Sequence, residues 1–278
     1  MSSATAFNII KRNNIPTKTK GGIYELPIDE IVVLYKSGMK VTDIAEKYNV
    51  CYKTIYNYLK SNNIKPDYIY TNQSLDRNYF KFIDRYDKAY FLGFLITDGS
   101  VVGNNITLQI KAEDSRILNT LSKKICNENP IYYDNRGLAS LHFKSKELVN
   151  DLAQYGVVER KTFSTYLPIF YDINLMSHLI RGMIDGDGWI SYKGHNIGFC
   201  AAHESIVTAV RDFLVYTLGV YNVKVIKSNT VYSIQWCSKK DIYLIGDFIY
   251  HDRRDCYLDR KFYEFVQIVT HDNIEITN

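Results

Sequence analysis

The chain is 278 residues long and lacks several things that would each point to a function. No run of about 18 apolar residues occurs, so no membrane-spanning helix and no membrane partner is expected. The N-terminus has no charged-then-apolar signal pattern. The five cysteines (Cys51, Cys126, Cys200, Cys237, Cys256) form no CxxC pair, and no Cys/His spacing suits zinc. They are expected to be buried, reduced thiols in a cytoplasmic protein. The histidines make no triad and no His-Asn-His nuclease arrangement. DGDG at Asp185–Gly188 lacks the acidic residue a calcium loop needs eleven positions on, where Asn196 stands. No intein splicing junction is visible. Net charge is also small, at +4, and it is unevenly placed. Residues 1–72 carry 10 Lys and Arg against 6 Asp and Glu, while residues 73–278 carry 24 of each. Bulk attraction to a polyanion therefore belongs to the N-terminal part.

What the chain does have is a repeated segment. FLGFLITDGS (residues 91–100) and LIRGMIDGDGWI (residues 179–190) both read as apolar helices with one inner glycine, ending in Asp-Gly. Gly93 precedes Asp98 by five positions, as Gly182 precedes Asp187. Gly93 with Thr97, and Gly182 with Gly186, form small i,i+4 pairs that let two helices approach closely. Asp98 and Asp187 would then lie side by side at helix C-termini, where the dipole disfavours a carboxylate. A cation between them would relieve both repulsions.

These residues resemble the paired motifs of the LAGLIDADG homing endonucleases. FLGFLITDG and IRGMIDGDG match the nine-residue pattern in register, with Ile96 where the first aspartate often stands. The layout after each motif also repeats. ITLQIK alternates, with Ile106, Leu108 and Ile110 on one face and Thr107, Gln109 and Lys111 on the other. A helix from about Ser115 to Ile125, a hairpin around Arg136-Gly137 and the helix SKELVNDLAQYGV follow. In the second half come a turn at Lys193-Gly194-His195, a helix from HESIV, the hairpin NVKVIK/VYSIQW and the helix SKKDIYLIGDFIY. Ser145-Lys146 aligns with Ser238-Lys239, and ERKTF (159–163) with DRKFY (259–263).

The expected fold class is α+β. Two pseudo-symmetric αββαββα halves, residues 88–170 and 171–278, would form a DNA-binding saddle of antiparallel sheets. Residues 1–27 read as a polar arm, in which IIKRNNIP echoes YLKSNNIKP. Residues 28–65 read as three helices: Ile28, Ile31, Val32 and Tyr35 share a face, Thr42 is placed to cap the second, and Ile55 and Leu59 point inward in the third. This resembles a helix-turn-helix of the resolvase or transposase type, whose second helix would offer Lys53, Thr54, Tyr56 and Asn57 to the major groove. Residues 66–87 read as a tyrosine-rich linker.

The resemblance implies a monomeric, site-specific endonuclease that cuts a long asymmetric DNA duplex. Asp98 and Asp187 would hold Mg²⁺ or Mn²⁺, helped by the backbone carbonyls of Thr97 and Gly186. Lys161 and Lys261 would be the basic residues near each centre. Gln109 and Gln235 are candidates for ordering water. Base contacts are expected from Thr107, Gln109, Lys111, Ser140, His142, Lys193, Asn196, Lys224, Ser233 and Gln235. Two other readings use the same fold: a DNA-binding regulator without catalysis, and an RNA-splicing maturase, the only reading with an RNA partner. The Asn/Lys/Tyr-rich composition suits a bacterial, phage or organellar genome.

Overall fold

The computed structural model describes residues 26–39, 41–64, 75–126, 129–159 and 166–272. The chain divides into two units, Met1–Ile69 and Tyr70–Asn278.

The first unit contains α1 (Ile28–Lys36), α2 (Val41–Lys47) and α3 (Tyr52–Ser61). Its core is Leu26, Ile31, Val41, Ile44, Ala45, Ile55 and Leu59. Gly38, at φ +94°, ends the first helix in a conformation that side chains with a Cβ resist. The expected cap at Thr42 does not form. The helix already begins at Val41, so Thr42 sits in its first turn and donates to Asp43 at 3.0 Å. A capping side chain must stand before the first helical residue. The echo at residues 9–16 lies outside the described residues.

The second unit is organised around α4 (Tyr86–Asp98) and α7 (Ile173–Asp187). Both are buried along nearly all their faces, as helices without a polar stripe must be. Around α4 lie β1 (Gly99–Val102), β2 (Asn105–Lys111), α5 (Arg116–Ile125), β3 (Tyr132–Tyr133), β4 (Leu138–Lys144) and α6 (Lys146–Ala153). Around α7 lie β5 (Gly188–Ser191), β6 (Asn196–Ala201), α8 (Glu204–Leu218), β7 (Ile226–Ser228), β8 (Val231–Trp236) and α9 (Lys239–Tyr250), followed by α10 (Asp259–His271). The αββαββα order therefore holds in both halves. The sheets are antiparallel and four-stranded, ordered β1-β2-β4-β3 and β5-β6-β8-β7. The aligned serines Ser145 and Ser238 cap α6 and α9 by accepting from Leu148 N and Asp241 N.

Several features differ from the sequence reading. Cys51 and Cys237, expected to be buried thiols, are exposed. Residues 75–85 are not wholly linker: Tyr79, Phe80 and Ile83 are buried in this unit's core. The Tyr79 hydroxyl donates to Asp87 at 2.6 Å, which lets a polar-looking segment carry its rings inside. The strand expected over NVKVIK is only Ile226–Ser228. Finally, a helix continues from DRKFY, because Phe265, Ile268 and Val269 bury one face of it.

Candidate active site and nucleic-acid interface

Helices α4 and α7 meet at their glycines. A Cβ on Gly93 would overlap the carbonyl oxygen of Leu179, and one on Gly182 that of Tyr90. A Cβ on Gly186 would run into the Thr97 side chain and lie 2.8 Å from Asp98 Oδ2. The last turns of the two helices therefore touch. Asp98 ends one helix beside the residue that precedes Asp187 in the other, and both aspartates are partly exposed. Thr97 turns its hydroxyl back to the carbonyl of Phe94 at 3.0 Å.

Lys261 reaches this place from α10. Its ammonium donates to the carbonyls of Ile184 (2.6 Å), Asp185 (2.7 Å) and Gly188 (2.7 Å), and it is only 4% exposed. Three hydrogens meet three carbonyls at the negative end of α7. Lys261 thus fastens the backbone on both sides of Asp187. Burial pushes its ammonium down to about 8, against the pull of Asp185 and, further off, Asp98. Lys161 lies outside the described residues.

Asp185 is the second motif's extra carboxylate, where the first motif has Ile96. It accepts from Tyr90 Oη on the facing helix and from Leu258 N, both at 2.9 Å. Its Oδ1 has no hydrogen-bond partner among the described residues. Burial pushes its carboxyl up, against Lys261 and the Tyr90 hydroxyl. One turn earlier, Arg181 is fully buried and donates to the carbonyls of Cys256 and Ile249 and to His178 Nδ1 at 2.7, 2.6 and 2.7 Å. Guanidinium has only donors, so His178 Nδ1 accepts and the imidazole is neutral. Its value falls to about 3, through burial and then Arg181. Polar contacts thus pin the second motif helix to the segment 249–261.

The outward sheet positions fall into two groups. On the first sheet, Thr107 pairs with His142 and Gln109 with Ser140. Thr107 Oγ1 lies 2.9 Å from His142 Nδ1, and Gln109 Nε2 donates to Ser140 Oγ at 2.9 Å; Ser140, expected to face outward for base contact, is instead buried. Lys111 is exposed at the strand end. On the second sheet, Gln235 is exposed and donates to Cys237 Sγ at 3.1 Å, while Ser233 is half-buried. Asn196 is engaged inside the fold: Oδ1 accepts from Trp189 Nε1 at 2.7 Å and Nδ2 donates to Gly194 O at 3.0 Å. Lys193 is exposed in the β5–β6 turn, and Lys224 is exposed in the irregular chain before β7.

Pairing registers fix which residues correspond between halves. Gly99 faces Leu108 and Gly188 faces Phe199. Gln109 therefore corresponds to Cys200, and Gln235 to His142. The two glutamines expected to play one role do not occupy equivalent positions. Cys200 points its thiol at the carbonyl oxygen of Asp187, 3.1 Å away. Trp189, which sequence reading passed over, corresponds to Ser100 and faces outward. Its ring lies over Gly198, where any Cβ would strike it. The signal was present in the alternation Trp189 out, Ile190 in.

In the first unit, Lys53 and Asn57 are exposed on α3, Thr54 and Tyr56 are half-buried, and Ile55 and Leu59 face the core.

Residues 19–62 match the helix-turn-helix domain of resolvase. No curated protein matches the chain. Among solved structures, full-length DUF199/WhiA from Thermatoga maritima is 16% identical over 73% of this chain and 68% of its own, with a TM-score of 0.47. The LAGLIDADG homing endonuclease I-LtrWI, bound to its target DNA, is 16% identical over 71% of this chain and 94% of its own, with a TM-score of 0.47. The LAGLIDADG meganuclease I-AabMI, bound to uncleaved DNA, is 12% identical over 66% and 89%, with a TM-score of 0.46.

Proposed function

We propose that this protein is a site-specific DNA endonuclease that binds duplex DNA on the outward faces of its two sheets and hydrolyses it at the paired ends of α4 and α7. The observation that carries this reading is the contact between Gly186 and Asp98. Two helices packed through glycines set Asp98 beside the residue that precedes Asp187, at two negative helix ends where a cation would be favoured.

The donor set fits a hard divalent ion. Among the described residues, no three His, Cys, Asp or Glu side chains gather as a metal cage. Asp98 and Asp187, with the carbonyls of Thr97 and Gly186, offer few protein oxygens, and Mg²⁺ accepts such a partial shell. A bound ion would supply Lewis-acid activation of water and charge neutralisation at phosphate. Lys261 fixes the chain around Asp187 without a hydrogen left for the substrate. Thr107, Gln109 and His142 would offer donors and acceptors to base edges, with Ser140 buried behind Gln109. The helix-turn-helix, with Lys53 and Asn57 exposed, adds a second grip on DNA, and the whole works as a monomer.

The test is cleavage of the flanking genomic DNA, joined without the intervening gene, with Mg²⁺ or EDTA. Wild type should give discrete Mg²⁺-dependent double-strand cuts. Asp98→Asn and Asp187→Asn should reduce them to nicks or abolish them. Specific DNA binding with no cutting under any divalent metal would favour the regulator reading instead. Tight selective binding of the intron transcript would favour the maturase.

A further inference from the structure

The two outward sheet faces carry different chemistry at matched positions. Next to Asp98 the register sets Ser100, Thr107 and Gln109; next to Asp187 it sets Trp189, Gly198 and Cys200. The first trio is all hydroxyl and amide. In the second trio each polar group is absent or already used. The indole N–H is given to Asn196 Oδ1 and the thiol to the carbonyl of Asp187. Gly198 has no side chain, and that is what allows the ring to lie flat across the strand.

The geometry points to Trp189 as a specificity residue that reads thymine methyl groups in the half-site facing the second sheet. This rests on the sheet faces being the DNA-binding surface. A held apolar plate offers no partner to the exocyclic amines or to the O6 and N7 acceptors of purines, so placing those groups over it leaves them dry and unpaired. Thymine alone presents an apolar group on its major-groove edge. The plate does not turn away, because Asn196 holds the indole nitrogen and Gly194 O holds Asn196. The opposite half has Ser100, Thr107 and Gln109 at the matched positions and no aromatic plate, so its contacts are dominated by hydrogen bonds.

The experiment measures binding of the full-length protein to its cleavable duplex, with each thymine in turn replaced by deoxyuridine. Loss of one methyl at a thymine over Trp189 should weaken binding about fourfold, the contribution of one buried methyl group. The sensitive thymines should all lie in one half-site. A 5-methylcytosine·guanine pair there should bind better than cytosine·guanine. Trp189→Ala should erase the deoxyuridine effect, and Trp189→Leu, which keeps an apolar surface and folds more safely, should retain part of it. Sensitivity equal in both half-sites, or unchanged in Trp189→Ala, overturns the inference alone. A protein that selects no duplex sequence overturns the DNA-binding reading and this inference with it.

Discussion

At the scale of single residues, the second motif helix is held by charged groups taken out of water. Lys261 meets three carbonyls and lies within the field of Asp185, so Lys261→Met leaves those acceptors dry and a buried carboxylate uncompensated. A loss of about 3–5 kcal/mol is expected, as for other broken buried pairs, read as a lowered midpoint in chemical denaturation. Tyr90→Phe removes one of the two donors to Asp185 and should cost about 1–3 kcal/mol in the same measurement. The proton on Lys261 also makes a pH prediction. Its folded value, about 8, lies below the ordinary lysine range, so between the two the unfolded chain binds more protons. By linkage this group makes the folded state gain, not lose, stability as pH rises through that window. Cleavage should do the opposite, because deprotonation takes one donor from the carbonyls around Asp187. Rates falling above about pH 8, with unfolding midpoints that do not fall in parallel, would agree; parallel loss would assign the pH effect to unfolding instead.

At the scale of elements, the crossing of α4 and α7 admits no side chain at Gly93 or Gly182, since each Cβ position is filled by a carbonyl of the other helix. Gly182→Ala must push the helices apart and separate Asp98 from Asp187. About 3 kcal/mol of destabilisation is expected, at the upper end for overpacking, together with loss of cutting that exceeds loss of DNA binding. Circular dichroism melts and binding titrations on the same variant separate the two effects. The elements were largely legible in the sequence. Alternation in ITLQIK and the motif helices express local periodicities of 2.0 and 3.6 residues. The failures were at boundaries and at the end. Thr42 was misplaced because the helix it was expected to cap begins at Val41, two residues early. Residues 75–85 read as linker because the buried rings of Tyr79 and Phe80 come with polar neighbours, and composition does not reveal which atoms face inward.

At the scale of the whole molecule, the units Met1–Ile69 and Tyr70–Asn278 each have their own apolar core. A chain beginning at Tyr70 should therefore fold and keep metal-dependent cleavage at high enzyme concentration. Its DNA affinity should fall, and its dependence on salt should flatten by about one unit of log–log slope for each phosphate contact removed. Binding isotherms at several salt concentrations check this. A folded fragment without any cleavage would mean that the helix-turn-helix unit is needed for the chemistry itself.

The sequence by itself determined the fold class and the duplication of the motif helices, because those follow from short-range periodicity and from matching two copies in register. It also named Gln109, Lys111 and His142 as outward on the first sheet, since alternation decides which face a strand residue takes, but not that Ser140 on the same face is buried. Only the tertiary structure decided that Lys261 binds carbonyls, that Gln109 answers to Cys200, and that the Trp189 ring lies over Gly198. Each of those depends on contacts between residues distant in the chain: a helix 73 or more residues away from the carbonyls it serves, or a strand register set by its partner. One-dimensional spacing carries no record of such contacts.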